Sequence, residues 1–118
     1  MQALAIDHLV LTVADIAATV RFYEALGLRA EVFEAAGGTR RHALFLGAQK
    51  INLHEAGAEF APHAARPLPG SADLCLLVSG GMEGCLSAIT AAGLAVEEGP
   101  VARSGSRITS GRFATWGA

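Results

Sequence analysis

The sequence is poor in cysteine, tryptophan, tyrosine and long apolar runs, which are features of several classes of protein. Among its 118 residues are two cysteines, one tryptophan and one tyrosine, and no run approaches the roughly 18 apolar residues of a membrane-spanning helix. So few cysteines exclude a disulfide-rich scaffold, and we expect Cys75 and Cys85 to be reduced core residues. The N-terminus has no basic segment before an apolar one. We therefore expect a soluble, cytoplasmic protein with no secretory signal and no membrane partner.

Charge is also scarce, and neither sign dominates. The formal net charge is −2 with 9 basic and 11 acidic residues, so there is no electrostatic reason to expect nucleic-acid binding. The sequence has no phosphate-binding loop and no nucleophile–base motif. Apolar residues make up 52% of the chain, which is ample for the core of one domain over residues 1–118.

The chain carries the same pattern twice, about 66 residues apart. Ile6–Glu31 and Ala72–Glu97 each read as an apolar run, a polar break, a helical stripe, Gly-Leu and a second strand. Such a repeat indicates two copies of one structural unit. Each copy alone would be only marginally stable, so the copies are expected to share a core or a seam.

Helical and strand periodicity place the elements within each copy. Asp15 and Gly27 are the predicted cap and end of a helix over Ile16–Leu26, and the second copy has a matching helix that runs to Ala92. The predicted strands are Leu4–Val13, Leu28–Glu34, Arg41–Leu46 and Lys50–Glu55 in the first copy, and Ala72–Ser79, Leu94–Val101 and Ile108–Ala114 in the second. The first strand is nearly all apolar, which predicts burial on both faces.

These elements predict an α+β fold of two βαβββ modules that form a U-shaped mixed sheet around a cleft. Module one covers about residues 4–56, a Pro-rich linker covers 57–70, and module two covers about 71–118. With strand order 1-4-3-2, the last strand of a module is central to its sheet. The counterpart of Lys50–Glu55 would recur near residues 116–121, so we expect module two to lack this strand. Unpaired backbone groups there favour a homodimer, with strand exchange as one route.

Four segments resemble one protein superfamily. They are IDHLVLTVADIAATVRFYEALGL, KINLHEAG, GSADLCLLV and EEGPVAR, and they are similar to the vicinal-oxygen-chelate superfamily of glyoxalases, bleomycin-resistance proteins and extradiol dioxygenases. The resemblance extends to about Phe113 and implies the small single-domain branch. Members usually continue into a turn resembling DPDGN and a strand with a glutamate ligand. RFATWGA stands there instead, so this resemblance implies a C-terminally truncated member without that carboxylate.

Two histidines are candidates for a metal site. The resemblance implies that His8, in the middle of the first strand, is a metal ligand, and imidazole suits Zn, Mn, Ni or Fe. His54 ends the fourth strand, which should neighbour the first, so the two side chains could converge on one cleft. The alternatives are a hydrogen-bonded core histidine for His8 and an exposed strand-end histidine for His54.

Other polar residues are candidates for binding a substrate. Strand alternation puts Asn52 on the same face as His54. Arg41 and Arg103 are basic and could line a cleft that accepts an acidic or enolate-like ligand. The alternative for these arginines is a solvated position in a loop. No catalytic residue can be assigned from the sequence.

Three functions remain open. The first is a metal-dependent enzyme, a lyase, isomerase or dioxygenase, that acts on a small molecule with vicinal oxygens through a divalent metal. The second is a metal-free protein that binds and sequesters a small molecule. The third is an inactive, truncated member that keeps the fold. The absent glutamate argues against the first function, and the two histidines argue against the third.

Overall fold

A computed structural model describes residues 1–103 and 111–116, with side chains to Val101. The chain divides into two compact units, Met1–Leu74 and Cys75–Ala118, and each is described by itself. The first unit contains β1 (His8–Val13), α1 (Ile16–Ala25), β2 (Arg29–Glu34), β3 (Arg40–Leu46) and β4 (Gln49–Glu55).

Helix α1 begins and ends where its sequence predicts. The carboxylate of Asp15 accepts a hydrogen bond from the backbone N–H of Ala18 at 2.8 Å, which satisfies one of the free amides of the first turn. Gly27 has a φ of 90° and reverses the chain after the helix. The partly buried residues are those of the predicted stripe, namely Ile16, Thr19, Val20, Phe22, Tyr23 and Leu26.

The four strands form one mixed sheet with the predicted order β1-β4-β3-β2. β1 and β4 run parallel, whereas β3 pairs antiparallel with both β4 and β2. The parallel pair requires a crossover, which α1 and the β2–β3 hairpin provide. The mixed sheet and the α+β class are therefore confirmed.

The two faces of this sheet differ in chemistry. Helix α1 packs against β2, β3 and β4, and the aliphatic residues of one face are buried, including Leu11, Leu44, Ile51 and Leu53. Residues at alternate positions project to the other face. We call this second face the polar face; its central residues are Arg41, Ala43 and Phe45 on β3 and Lys50, Asn52 and His54 on β4.

The prediction for the first strand was wrong in two respects. β1 begins at His8 rather than Leu4, because Leu4 and Ile6 precede the ladder with β4 and are 90% and 65% exposed. The strand is also not buried on both faces of its unit. Val10 is 43% exposed because it projects to the polar face, whereas Leu11 projects to the helix-covered face and is buried.

The described part of the second unit contains α2 (Gly81–Ala91), β5 (Val96–Arg103) and β6 (Gly111–Trp116). The two strands pair antiparallel. In α2, Ile89 is fully buried, and Met82, Cys85 and Leu86 of the predicted stripe are partly buried. The position of α2, 66 residues after α1, agrees with the repeat.

The predicted strand Ala72–Ser79 is not a strand in the structure. No ladder involves this segment, although its sequence resembles that of β1. β1 is ordered by its parallel pairing with β4, and the described residues of the second unit offer no equivalent of β4. Without a ladder partner the same apolar pattern leaves Leu77 and Val78 exposed. None of the helices in residues 1–103 has the length and apolar character needed to span a membrane.

Candidate functional site

The end of β4 concentrates polar side chains on the polar face of the first unit. Asn52 and His54 lie two residues apart on β4, and Ala43 of β3 lies opposite Asn52. One step beyond the last paired residues of the two strands, Arg41 comes opposite His54. Side chains opposite one another in an antiparallel pair have Cβ atoms about 5 Å apart, so these three side chains share one small area.

The turn after β4 brings an aromatic ring over this area. The backbone N–H of Ala56 donates to the carbonyl of Val13 at 2.9 Å, and that of Ala58 donates to the carbonyl of Glu55 at 3.0 Å. The Gly57 N–H donates to the Glu59 carboxylate at 3.0 Å, and the φ of 83° at Gly57 favours glycine. These contacts turn the chain so that Phe60 lies above the sheet.

Phe60 packs against both His54 and Arg41. Its ring centroid is 3.9 Å from that of the His54 imidazole, and the guanidinium carbon of Arg41 lies 3.6 Å from the centre of the Phe60 ring. The second contact has the geometry of a cation–π interaction. The packing leaves His54 only 2% exposed, so the predicted alternative of an exposed strand-end histidine is wrong.

Three buried polar atoms in this area have no hydrogen-bond partner among the described residues. They are Nε of Arg41, Oδ1 of Asn52 and Nδ1 of His54. Buried polar groups are nearly always paired, and each unpaired group typically destabilises the folded state by about 1–3 kcal/mol. Because three such atoms lie on one face, this area is the candidate functional site of the first unit.

The environment keeps the His54 ring neutral. Burial lowers the pKa of His54 below its ordinary value, and the positive charges of Arg41 and His63 lower it further, against a smaller opposite effect of the Glu59 carboxylate. At neutral pH the ring can therefore either donate or accept a hydrogen bond at Nδ1. The Arg41 guanidinium stays charged, so the area carries a positive charge beside a neutral imidazole.

His8 lies on the same face but at the other end of β1. Its Nδ1 donates to the Asp7 carboxylate at 2.7 Å, and the His8 side chain is 45% exposed. In the β1–β4 register, His8 pairs with Lys50, whereas Thr12 pairs with His54. Four residues of strand span about 13 Å. The structure therefore does not bring His8 and His54 together, and His8 is not a core histidine.

The first unit does not fit a metal ion held jointly by His8 and His54. Ligand nitrogens lie about 2 Å from a metal, so both rings would have to extend toward each other along the sheet. The His54 ring is instead packed against Phe60. Among the described residues, no group of three or more histidine, cysteine, aspartate or glutamate side chains is placed to hold an ion. No chemical step through a metal follows from this arrangement.

The remaining candidates are the three residues predicted to bind a substrate, and they lie in different units. Arg41 and Asn52 lie beside His54, as strand alternation predicts for Asn52. Arg103 ends β5 of the second unit, where its backbone pairs with Gly111, and its side chain lies outside the described residues. Sequence reasoning missed Phe60, which it assigned to the linker. The signal available was an aromatic residue six positions after a strand-end histidine.

The low pKa of His54 predicts a pH dependence of stability. The unfolded chain binds a proton at His54 near pH 6.5, whereas the folded chain binds it only at lower pH. The unfolded state therefore holds more protons in this window, and stability is lost as pH falls below about 6.5. We expect the free energy of unfolding, measured with urea, to fall as the pH is lowered from 7.5 to 5. In His54→Gln this dependence on pH should be weaker.

One proton limits the His54 contribution to about 1.4 kcal/mol per pH unit. His63→Gln is the control, because His63 is exposed, its Nδ1 donates to the adjacent Ala64 carbonyl, and its charge lowers the pKa of His54 less than burial and Arg41 do. This variant should keep most of the slope. An unchanged slope in His54→Gln would contradict the assignment of the titration to His54.

A family model and individual relatives both place this chain in the same superfamily. The model of the glyoxalase/bleomycin resistance protein/dioxygenase superfamily matches residues 5–107. Virulence protein STM3117 of Salmonella typhimurium is 53% identical over 102 residues, which cover 86% of this chain and 68% of that protein. Glyoxalase domain-containing protein RDO1 of Mycosarcoma maydis is 43% identical over 101 residues. The match covers 86% of this chain but only 55% of RDO1, so the chain spans about half of that relative.

Solved structures show the same fold. The crystal structure of STM3117 aligns with a TM-score of 0.81 at 46% identity and covers 98% of this chain and 87% of that chain. Integron cassette protein VCH_CASS1 of V. Cholerae aligns with a TM-score of 0.81 at 40% identity, over 98% of this chain and 86% of the other. The expectation drawn from the four sequence segments is confirmed, and the chain belongs to the glyoxalase/bleomycin resistance protein/dioxygenase superfamily.

Proposed function

We propose that the protein binds a small anionic molecule on the polar face of its first unit, at Arg41, Asn52 and His54. The observation that carries this proposal is the cluster of three buried polar atoms without partners. Superfamily membership supports it, because members of the superfamily bind small molecules. The bound molecule would restore the hydrogen bonds that the chain leaves unmade.

The charge of the site favours an anion. Arg41 is the only full charge among the three residues at neutral pH, because His54 is held neutral. A guanidinium pairs well with a carboxylate through two parallel hydrogen bonds. Phe60 covers one face of the guanidinium and Nε is buried, so the ligand would displace the ring to reach Nε. An enolate or other oxyanion would be stabilised by the same donors.

The test is an NMR titration with organic anions and their uncharged amides. Propionate and benzoate are expected to shift the signals of residues 41, 52 and 54, whereas propionamide and benzamide are not. Arg41→Met should weaken anion binding about 10- to 100-fold, because it removes a charge-assisted hydrogen bond. Arg40→Met is the matched control, since the exposed Arg40 precedes Arg41 on β3 and projects to the opposite face. Equal binding by the two variants would contradict the proposal.

A metal-dependent function at His8, in a homodimer, is the second candidate. The Asp7–His8 hydrogen bond favours it, because a carboxylate on one ring nitrogen orients a histidine whose other nitrogen binds a metal. His8 fills one coordination position, so a second copy of the chain would supply the rest. Elemental analysis of tag-free protein should find about one divalent metal per chain that is lost in His8→Ala. An absence of metal after incubation with Zn, Mn, Ni and anaerobic Fe(II) would exclude this candidate.

A further inference from the structure

The unpartnered atoms differ in their hydrogen-bonding roles, and this difference identifies a chemical class of ligand. Nε of Arg41 can only donate, whereas Oδ1 of Asn52 can only accept. Nδ1 of His54 can take either role in the neutral ring. The ligand must therefore present at least one acceptor and at least one donor. A simple carboxylate, a sulfate or the dianion of a phosphate monoester satisfies only the first requirement.

The spacing of the atoms requires that donor and acceptor be neighbours on the ligand. One step beyond the His42–Leu53 pair of β3 and β4, Arg41 comes opposite His54, a position in which Cβ atoms are typically about 5 Å apart. Asn52 is two residues from His54 on the same face, about 7 Å along the strand. With the Phe60 ring displaced from Arg41 and His54, side chains at this spacing would reach a carboxylate and one adjacent polar group.

We propose that the ligand of this site is a 2-hydroxycarboxylate. Its carboxylate oxygens would accept hydrogen bonds from Nε of Arg41 and from Nδ1 of His54. Its hydroxyl would donate to Oδ1 of Asn52. This arrangement pairs all three buried atoms with one small molecule and needs no covalent step. The inference rests on the proposed function, since it specifies which anion the same site selects.

Each related acid is expected to bind more weakly because of one identifiable group in the site. A carboxylate without the hydroxyl leaves Oδ1 of Asn52 unpaired, and a 2-oxo acid places a carbonyl oxygen against that acceptor. A 2-amino acid has a suitable donor, but its ammonium group would lie close to the Arg41 guanidinium. The expected discrimination against each is about 10- to 100-fold in affinity, which is typical when a buried polar group is left unpaired.

The experiment compares lactate with propionate, pyruvate and alanine in NMR titrations of the full chain. Both lactate enantiomers are tested. We expect the enantiomer with the higher affinity to bind at least about tenfold more tightly than propionate, pyruvate or alanine. Asn52→Leu should remove this preference, so that the variant binds lactate no more tightly than propionate, because the amide oxygen acts only on the hydroxyl. Gln49→Leu, at the exposed start of β4, is the control for the same type of substitution and should keep the preference.

The outcomes separate this inference from the function on which it rests. Equal binding of lactate and propionate by the wild-type protein, with shifts at residues 41 and 54, would overturn the hydroxycarboxylate and leave anion binding intact. A lactate preference that persists in Asn52→Leu would overturn the role of Asn52. No shift with any anion would overturn both proposals. If Asn52→Leu does not fold, the affinities of the wild-type protein for the four acids still show whether the site prefers a 2-hydroxycarboxylate.

Discussion

Replacing Leu44 by alanine is expected to lower the free energy of unfolding of the first unit by about 3 kcal/mol. Leu44 lies at the centre of β3 and is 0% exposed. It pairs with Ile51 of β4 on one side and Ala30 of β2 on the other, on the face that α1 covers. Truncation of a fully buried leucine removes its transfer free energy and leaves a cavity, and together these effects amount to about 2–5 kcal/mol.

A loss of this size is a large part of the 5–15 kcal/mol that stabilises a typical domain. Hydrogen exchange of the β3 and β4 amides measures it within the first unit, and urea unfolding measures it for the whole chain. Val32→Ala is the control, because Val32 lies on the edge strand β2 and is 49% exposed. It should change stability by less than about 1 kcal/mol. If the two variants proved equally stable, the helix-covered face would not be the core of this unit.

Local sequence patterns were sufficient to predict the first unit because its elements are locally encoded. Asp15, the helical stripe and Gly27 lie within one 13-residue window, and the structure has α1 from Ile16 to Ala25. The sheet order also followed from the pattern, since a strand–helix–meander chain returns its last strand to the first. Phe60 could not be predicted in this way, because no periodic pattern places a loop residue against particular side chains.

The two errors about strands have one cause. Leu4–Val13 and Ala72–Ser79 both read as buried strands from their apolar runs, but a strand is ordered by its ladder partner as well as by its own residues. β1 pairs with β4 from His8 onward only, and residues 71–78 have no partner among the described residues. Composition carries no information about whether a partner is present.

The histidine pair shows a further limit of sequence reasoning. The prediction that the first and fourth strands are neighbours was correct, and His8 and His54 project to the same face of the sheet. Their separation depends on the β1–β4 register, and a period of two does not specify it. The observed register moves His54 beside Thr12 and leaves His8 beside Lys50. The site therefore forms from His54, Asn52 and Arg41.

Replacing Phe60 by alanine is expected to raise the affinity for anions about tenfold while it lowers the stability of the first unit. The ring covers the atoms that the proposed ligand needs, since Nε of Arg41 and Nδ1 of His54 are buried beneath it. A ligand must displace the ring before it binds. A cation–π contact of this kind contributes roughly 1–2 kcal/mol, and 1.4 kcal/mol corresponds to a tenfold change in affinity.

The same substitution should change the titration of His54. Burial is the largest cause of the low pKa of this group, and removal of the ring admits water to the imidazole. The pKa of His54, followed by NMR of its ring protons, should therefore rise toward the ordinary value. Phe45→Ala is the matched control. Phe45 also lies on the polar face beneath a cation, Arg29, at 4.7 Å, but it pairs with Arg29 and Lys50 rather than with Arg41 or His54.

Phe45→Ala should leave both anion affinity and the His54 titration unchanged. A lower affinity in Phe60→Ala would contradict the role of the ring as a cover, because it would mean that the ligand binds against the ring. A higher affinity with an unchanged His54 pKa would mean that the ring shields Arg41 alone. Only a joint rise of affinity and pKa agrees with a ring that closes over both residues, and that agreement would explain how three polar atoms stay buried without partners in the free protein.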